Sequence, residues 1–103
     1  VFWLRALYGS LEAAYTSFLE QIPPKGLIIG ESNSLREVVV PGCFIMLMNA
    51  ATAAVKPTAA RVLPLADLVV QNNPLPEELD SVISRIQVIE DETTGIQVHL
   101  RGE

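Results

Sequence analysis

The sequence is short of most of the residues that carry chemistry. There is one cysteine, Cys43, and one histidine, His99, in 103 residues. A single cysteine excludes an internal disulfide and suits a reducing compartment. One histidine with no paired cysteines excludes the usual structural zinc sites, and no nucleophile is patterned around it for general-base work. Basic residues are also scarce: seven Lys and Arg against twelve Asp and Glu give a net charge of −5. Those seven are scattered, which argues against a nucleic-acid backbone as partner. The longest apolar run, Cys43 to Met48, falls far short of the roughly 20 residues of a membrane span. No phosphate-cradling G-x-x-x-x-G-K-[ST] loop occurs anywhere. No charged n-region followed by an apolar h-region opens the chain, so a cytoplasmic protein is the expectation.

Apolar residues, by contrast, are abundant. They make up 50% of the chain, and only 18% is charged. That composition belongs to globular domains and not to disordered chains. The length suits one domain, residues 1–103. Val1 is not a start methionine, and Phe2-Trp3-Leu4 follow it directly. Large apolar residues at a terminus need a cover, so the expectation includes a fragment of a longer protein.

Periodicity sets the expected elements. Leu11, Ala14, Tyr15, Phe18, Leu19 and Ile22 recur at helical spacing. Ser10 precedes them as a cap, and Pro23-Pro24 ends the helix. Leu27 to Gly30 reads as a short buried strand. Ser34 opens a brief helical turn over Leu35 to Val39, stopped by Pro41-Gly42. Cys43 to Met48 reads as a second strand, and Leu68 to Gln71 as a third, with no alternation. Between them, Lys56-Pro57-Thr58 opens a short helix with proline at its first position. Pro76-Glu77-Glu78 begins the last helix, whose apolar face runs through Leu79, Val82, Ile83, Ile86 and Ile89. Thr93-Thr94-Gly95 makes a turn. Ile96, Val98 and Leu100 then alternate with polar residues as a half-buried strand at an edge. The order predicts an α/β fold: a mostly parallel sheet with helices on both faces.

The stretch Gly26-Leu-Ile-Ile-Gly-Glu31-Ser-Asn-Ser34 then draws attention. An apolar strand running into an acid and small polar residues puts them where open α/β sheets bind ligands. Together with Lys56-Pro57-Thr58-Ala59 and Ala66-Asp67-Leu68-Val69-Val70-Gln71-Asn72-Asn73, it resembles the C-terminal half of a P-loop GTP-binding protein of the molybdopterin-guanine dinucleotide biosynthesis protein B group. The resemblance covers Leu11 to Asn73. It implies a P-loop NTPase-like fold lacking the P-loop segment, a link to molybdenum-cofactor biosynthesis, and GTP with Mg²⁺ as ligands. Glu31 matches the acid that faces the magnesium, and Asn72 and Asn73 loosely match the element that contacts guanine. The expected usual pattern, Asn-Lys-x-Asp, is replaced here by Pro74 and Leu75 after the asparagines. The missing P-loop implies no nucleotide hydrolysis by this chain alone.

Each of these residues also has a plainer reading. Glu31 suits a helix N-terminus, where backbone N–H groups satisfy an acid. Ser32, Asn33 and Ser34 either hold a ligand or cap the following turn. Lys56 either binds an anion at a helix start or is solvated beside a proline. Asn72-Asn73-Pro74 is a good turn in its own right. His99 reads as solvent-facing and Cys43 as a small core residue. The acids Glu77, Glu78 and Asp80, and Glu90 to Glu92, lack calcium-loop spacing. Two functions therefore compete: nucleotide binding, and a non-catalytic interaction domain that oligomerises through an exposed sheet edge and an apolar N-terminus. A small hydrolase using Glu31 with Ser32 or Ser34 has no Ser–His pairing to support it.

Overall fold

The computed structural model describes residues 2–49, 55–71 and 73–101. Helix α1 spans Leu11–Glu20, behind a 3₁₀ turn at Tyr8–Ser10. Its start follows the apolar spacing and has Glu12 in the first turn, where the dipole favours an acid. Ser10 stands at the cap but makes no side-chain capping bond. The helix stops short of Ile22, since the Pro23-Pro24 pair cannot continue it. Phe18 packs edge-on against Phe2, with ring centroids 5.5 Å apart, and tilts toward Tyr15. No residue of α1 is fully buried.

Strand β1 (Ile45–Met48), helix α2 (Pro57–Val62) and strand β2 (Leu68–Gln71) form a parallel unit. Ile45 pairs with Leu68 and Met48 with Gln71. Asp67 locks the register where the two strands begin. Its carboxylate accepts the Phe44 N–H at 2.6 Å, and its own N–H donates to the Phe44 carbonyl at 2.8 Å. Pro57 sits in the first turn of α2, where its missing N–H costs nothing. A 3₁₀ turn at Leu63–Leu65 contains Pro64 and ends the crossover. Most of the core lies here: Met46, Val62, Leu68 and Val70 are buried, with Val62 fully enclosed.

Helix α3 (Pro76–Arg85) runs directly into strand β3 (Ile86–Asp91), which pairs antiparallel with β4 (Gly95–Leu100). The register runs from Ile86 opposite Leu100 to Asp91 opposite Gly95. The Asp91 carboxylate shapes the turn by accepting the N–H groups of Thr93 and Thr94. Lys25, with φ 64°, packs its stem against Gly95 and donates from Nζ to the Glu92 carbonyl at 2.8 Å. Gly95 has φ +83° and no room for a side chain, because an added Cβ would lie 2.6 Å from Lys25 Cβ.

The mostly parallel sheet with helices on both faces is not what forms. Among the described residues there are two separate two-stranded sheets, β1–β2 parallel and β3–β4 antiparallel. Two segments account for the difference. Among the described residues Leu27–Gly30 pairs with no strand, and its large side chains are exposed, Ile29 at 89%. Lys25 ties the chain just before it to the β3–β4 turn. Ile86–Ile89 leaves the helical face of α3 and becomes half of a hairpin. Ile86 fits both periods, but Val88 and Ile89 extend a β-branched run that is worth more in a ladder than in a helix. β4 is accordingly a hairpin strand and not the margin of a larger parallel sheet.

Candidate functional site

The parallel unit puts its carboxyl ends together. The last rung joins Met48 to Gln71, so Asn49 and Asn73 lie just past the same end of the pair. Asn73 has φ 56°, a conformation asparagine tolerates better than most residues, and it is exposed in the turn into α3. Asn72 lies outside the described residues. Lys56 is the N-cap residue of α2, exposed and without a side-chain capping bond.

Glu31 lies elsewhere in the fold. It is exposed on the unpaired segment after Gly30. Ser32 serves as a cap: its Oγ accepts the Leu35 N–H at 3.1 Å, at the start of the 3₁₀ turn Ser34–Glu37. Asn33 stands at the N-cap position with no side-chain bond of its own. Among the described residues, no hydrogen bond or ion pair joins Glu31, Asn33, Lys56 and Asn73 to one another. Of Ser32, Asn33 and Ser34, the three candidates for a cap, Ser32 is the one whose side chain caps the turn.

Two open clefts flank these elements. One, about 490 Å³, lies between β2 and α3 and is lined by Val70, Gln71, Glu77, Glu78, Ser81 and Val82. Its two carboxylates are the wrong sign for a phosphate. The other, about 400 Å³, lies at the hairpin turn between Lys25 and Glu90, Asp91 and Glu92. The backbone N–H groups of Thr93 and Thr94 hold the Asp91 carboxyl below its ordinary range.

A third constellation escaped the sequence reading. The Tyr8 hydroxyl donates to the Glu37 carboxylate, and Arg61 Nη1 donates to the Tyr8 oxygen at 3.1 Å. The Arg61 guanidinium also lies 5.9 Å above the Tyr8 ring and 3.9 Å from Glu37. The bond to Glu37 raises the Tyr8 pKa, with slight desolvation and the carboxylate charge adding to it and Arg61 opposing. These residues lie 29 and 53 positions from Tyr8, and no local spacing signals them. Chemically the group is a clasp: it ties the N-terminal segment to α2 and to the turn at Ser34–Glu37.

His99 Nε2 meets Gln97 Oε1 at 3.1 Å on the exposed side of β4. Cys43 is half-buried just before β1. Among the described residues, no three His, Cys, Asp or Glu side chains cluster to hold a metal ion, and no helix is long and apolar enough to cross a membrane. Compared with protein-family models, curated proteins and solved structures, the chain matches none.

Proposed function

We infer that this chain is a non-catalytic interaction domain that completes its core against another polypeptide. One observation carries the reading. The chain exposes 8095 Å² at 11.2 kDa, whereas a compact monomer of that mass exposes about 5,700 Å². The difference, about 2,400 Å², is the scale of an obligate interface. Much of the exposed surface is apolar: Trp3 is 89% and Leu7 82% accessible. Neither two-stranded sheet reaches the three strands that give a sheet independent stability. A cytoplasmic location fits the single cysteine.

Small-angle scattering with a fluorescent dye for exposed apolar surface tests this. The expected results are dye binding by the dilute chain, and growth in particle mass with concentration or on adding the partner. A dye-silent monomer with a radius of gyration near the roughly 13 Å of a compact 100-residue domain, in place of 15.2 Å, refutes it.

A nucleotide-binding reading, with GTP and Mg²⁺ and a role in molybdenum-cofactor assembly, has one observation in its favour. The β1–α2–β2 unit is parallel, and Asn49 and Asn73 follow its strands at the carboxyl end, where such units bind ligands. Calorimetry with GTP and Mg²⁺ decides it: binding tighter than about 10 μM supports it, and no heat of binding at millimolar nucleotide refutes it.

A further inference from the structure

We propose that the partner is a second copy of this chain, docked through helix α3 in an antiparallel, two-fold arrangement. The inference rests on the interaction-domain reading and names its contact. Helix α3 is amphipathic, and none of its residues is buried. Leu79 and Ile83, with Leu75 just before the helix, share one face and are 45%, 57% and 58% exposed. A helix of this pattern is stable in water only when that face is covered.

The charges around the face select the occupant and its direction. Glu78 and Arg85 stand seven residues apart, two turns, on the same flank of the apolar stripe. Asp80 stands on the other flank. Neither Glu78 nor Arg85 has an ion-pair partner among the described residues. A two-fold axis perpendicular to the plane of two antiparallel helices brings like flanks together. With that axis near Ser81, Leu79 of one copy lies over Ile83 of the other, and Arg85 of each reaches Glu78 of its mate. Ser81 points away from the seam, so nothing large obstructs the crossing. The same axis also sets Asp80 beside its own copy, one repulsion against the two Glu78–Arg85 attractions, whereas a parallel pair would oppose the Glu78 flank to the Asp80 flank twice, acid against acid, with no attraction to offset it. Charge complementarity therefore favours the antiparallel copy.

Sedimentation equilibrium on the full chain tests this with four proteins. The wild type is expected to dimerise at roughly 100 μM, and Ile83→Glu to remain monomeric. Glu78→Arg and Arg85→Glu each turn two attractions into two repulsions, and each is expected to weaken dimerisation about ten-fold. All three positions are exposed, so circular dichroism should report unchanged helix content. The decisive step is mixing. Glu78→Arg with Arg85→Glu restores both contacts in a heterodimer, and the mixture should associate more tightly than either variant alone. Failure of the mixture to do so overturns the antiparallel pairing. Association of Ile83→Glu as tight as wild type overturns the α3 contact while leaving the interaction-domain reading in place. A wild-type monomer that still binds the apolar-surface dye overturns self-association only. A compact, dye-silent monomer overturns both.

Discussion

Replacing Gly42 with alanine tests the join between the two sheets. Gly42 precedes β1, yet its backbone presses on β4. A Cβ there would lie 2.2 Å from the Val98 carbonyl oxygen and 2.9 Å from both Val98 C and Cβ. Two of those three atoms are backbone, so no rotamer change relieves the overlap. Either β4 moves or the segment ahead of β1 does, by about an ångström. Overpacking of this kind costs about 1–3 kcal/mol. A domain this size has about 5–15 kcal/mol of stability in all, and a chain with so few buried side chains belongs at the lower end. At roughly 4–8 °C per kcal/mol, Gly42→Ala should lower the melting temperature by about 4–24 °C. Gly30→Ala is the matched control. Nothing lies within 4 Å of a Cβ at Gly30, and the change should be neutral or stabilising by up to about 1 kcal/mol. Urea unfolding followed by circular dichroism measures both, and hydrogen exchange shows which amides lose protection. The expectation is early loss in β4, near Val98. If Gly42→Ala and Gly30→Ala unfold at the same urea concentration, Gly42 does not touch β4, and the docking of the two sheets described above is wrong.

Three further outcomes follow from the same geometry. Asp67→Ala removes the carboxylate that receives the Phe44 N–H at 2.6 Å; it should cost about 1 kcal/mol and, by amide exchange, loosen the first rung of β1–β2 before the last. The folded-state pKa of Asp91 is depressed, so its contribution is present above the unfolded value near 3.8 and is lost as pH falls through the folded one. Amide shifts of Thr93 and Thr94 should therefore move only in acid below that range, and Asp91→Asn should abolish that movement. Tyr8 runs the other way: its raised pKa makes the clasp stabilising below the ordinary tyrosine value of 10.0, and that stability is lost as pH rises through the higher folded value. In the ultraviolet titration, the Tyr8 step should lie above its ordinary pH and disappear in Tyr8→Phe, and Glu37→Gln should bring it back toward that pH.

The parts of this fold that local pattern determines were legible. Helix α1 starts at Leu11, β2 spans Leu68–Gln71, α3 starts at Pro76, and the turn before Gly95 falls where the sequence puts it. Each depends on a proline, a glycine or an apolar period acting over a few residues. The parallel pairing of β1 with β2 was legible too, because an apolar strand, a short helix and another apolar strand have few other ways to pack. Two things were not legible, and both depend on distant partners. Leu27-Ile28-Ile29 has the composition of a strand, but composition does not supply an edge to pair with. Ile86 to Ile89 satisfies a helical and an extended period at once, and only β4, ten residues on, decides between them. The candidate site divides in the same way. Ser32 as a cap was within reach of local chemistry, whereas Glu31 and Lys56 were grouped on the assumption of a single sheet. Tyr8, Glu37 and Arg61 meet across about half of the chain's length and leave no local trace.

The two misread segments also explain why so much apolar surface stays outside. In a single parallel sheet, Leu27–Gly30 would have been an inner strand, and the last strand would have closed an edge beside it. In the observed fold the β-forming residues are divided between two pairs, and a two-stranded sheet has two edges and too little width to bury a face. The burial along β1 and β2 shows the consequence. Leu47 and Val70 are cross-strand partners, yet Val70 is 6% exposed and Leu47 67%. On the opposite side Met46 is 4% exposed, and its partner Val69 54%. Each face is therefore covered over one strand and bare over the other. A water-facing sheet would carry polar residues at Leu47 and Val69; these two are typical of sheets covered on both sides. Residues suited to burial stand where this chain cannot bury them by itself, and that mismatch between composition and fold is the reason to look for its function in what it packs against.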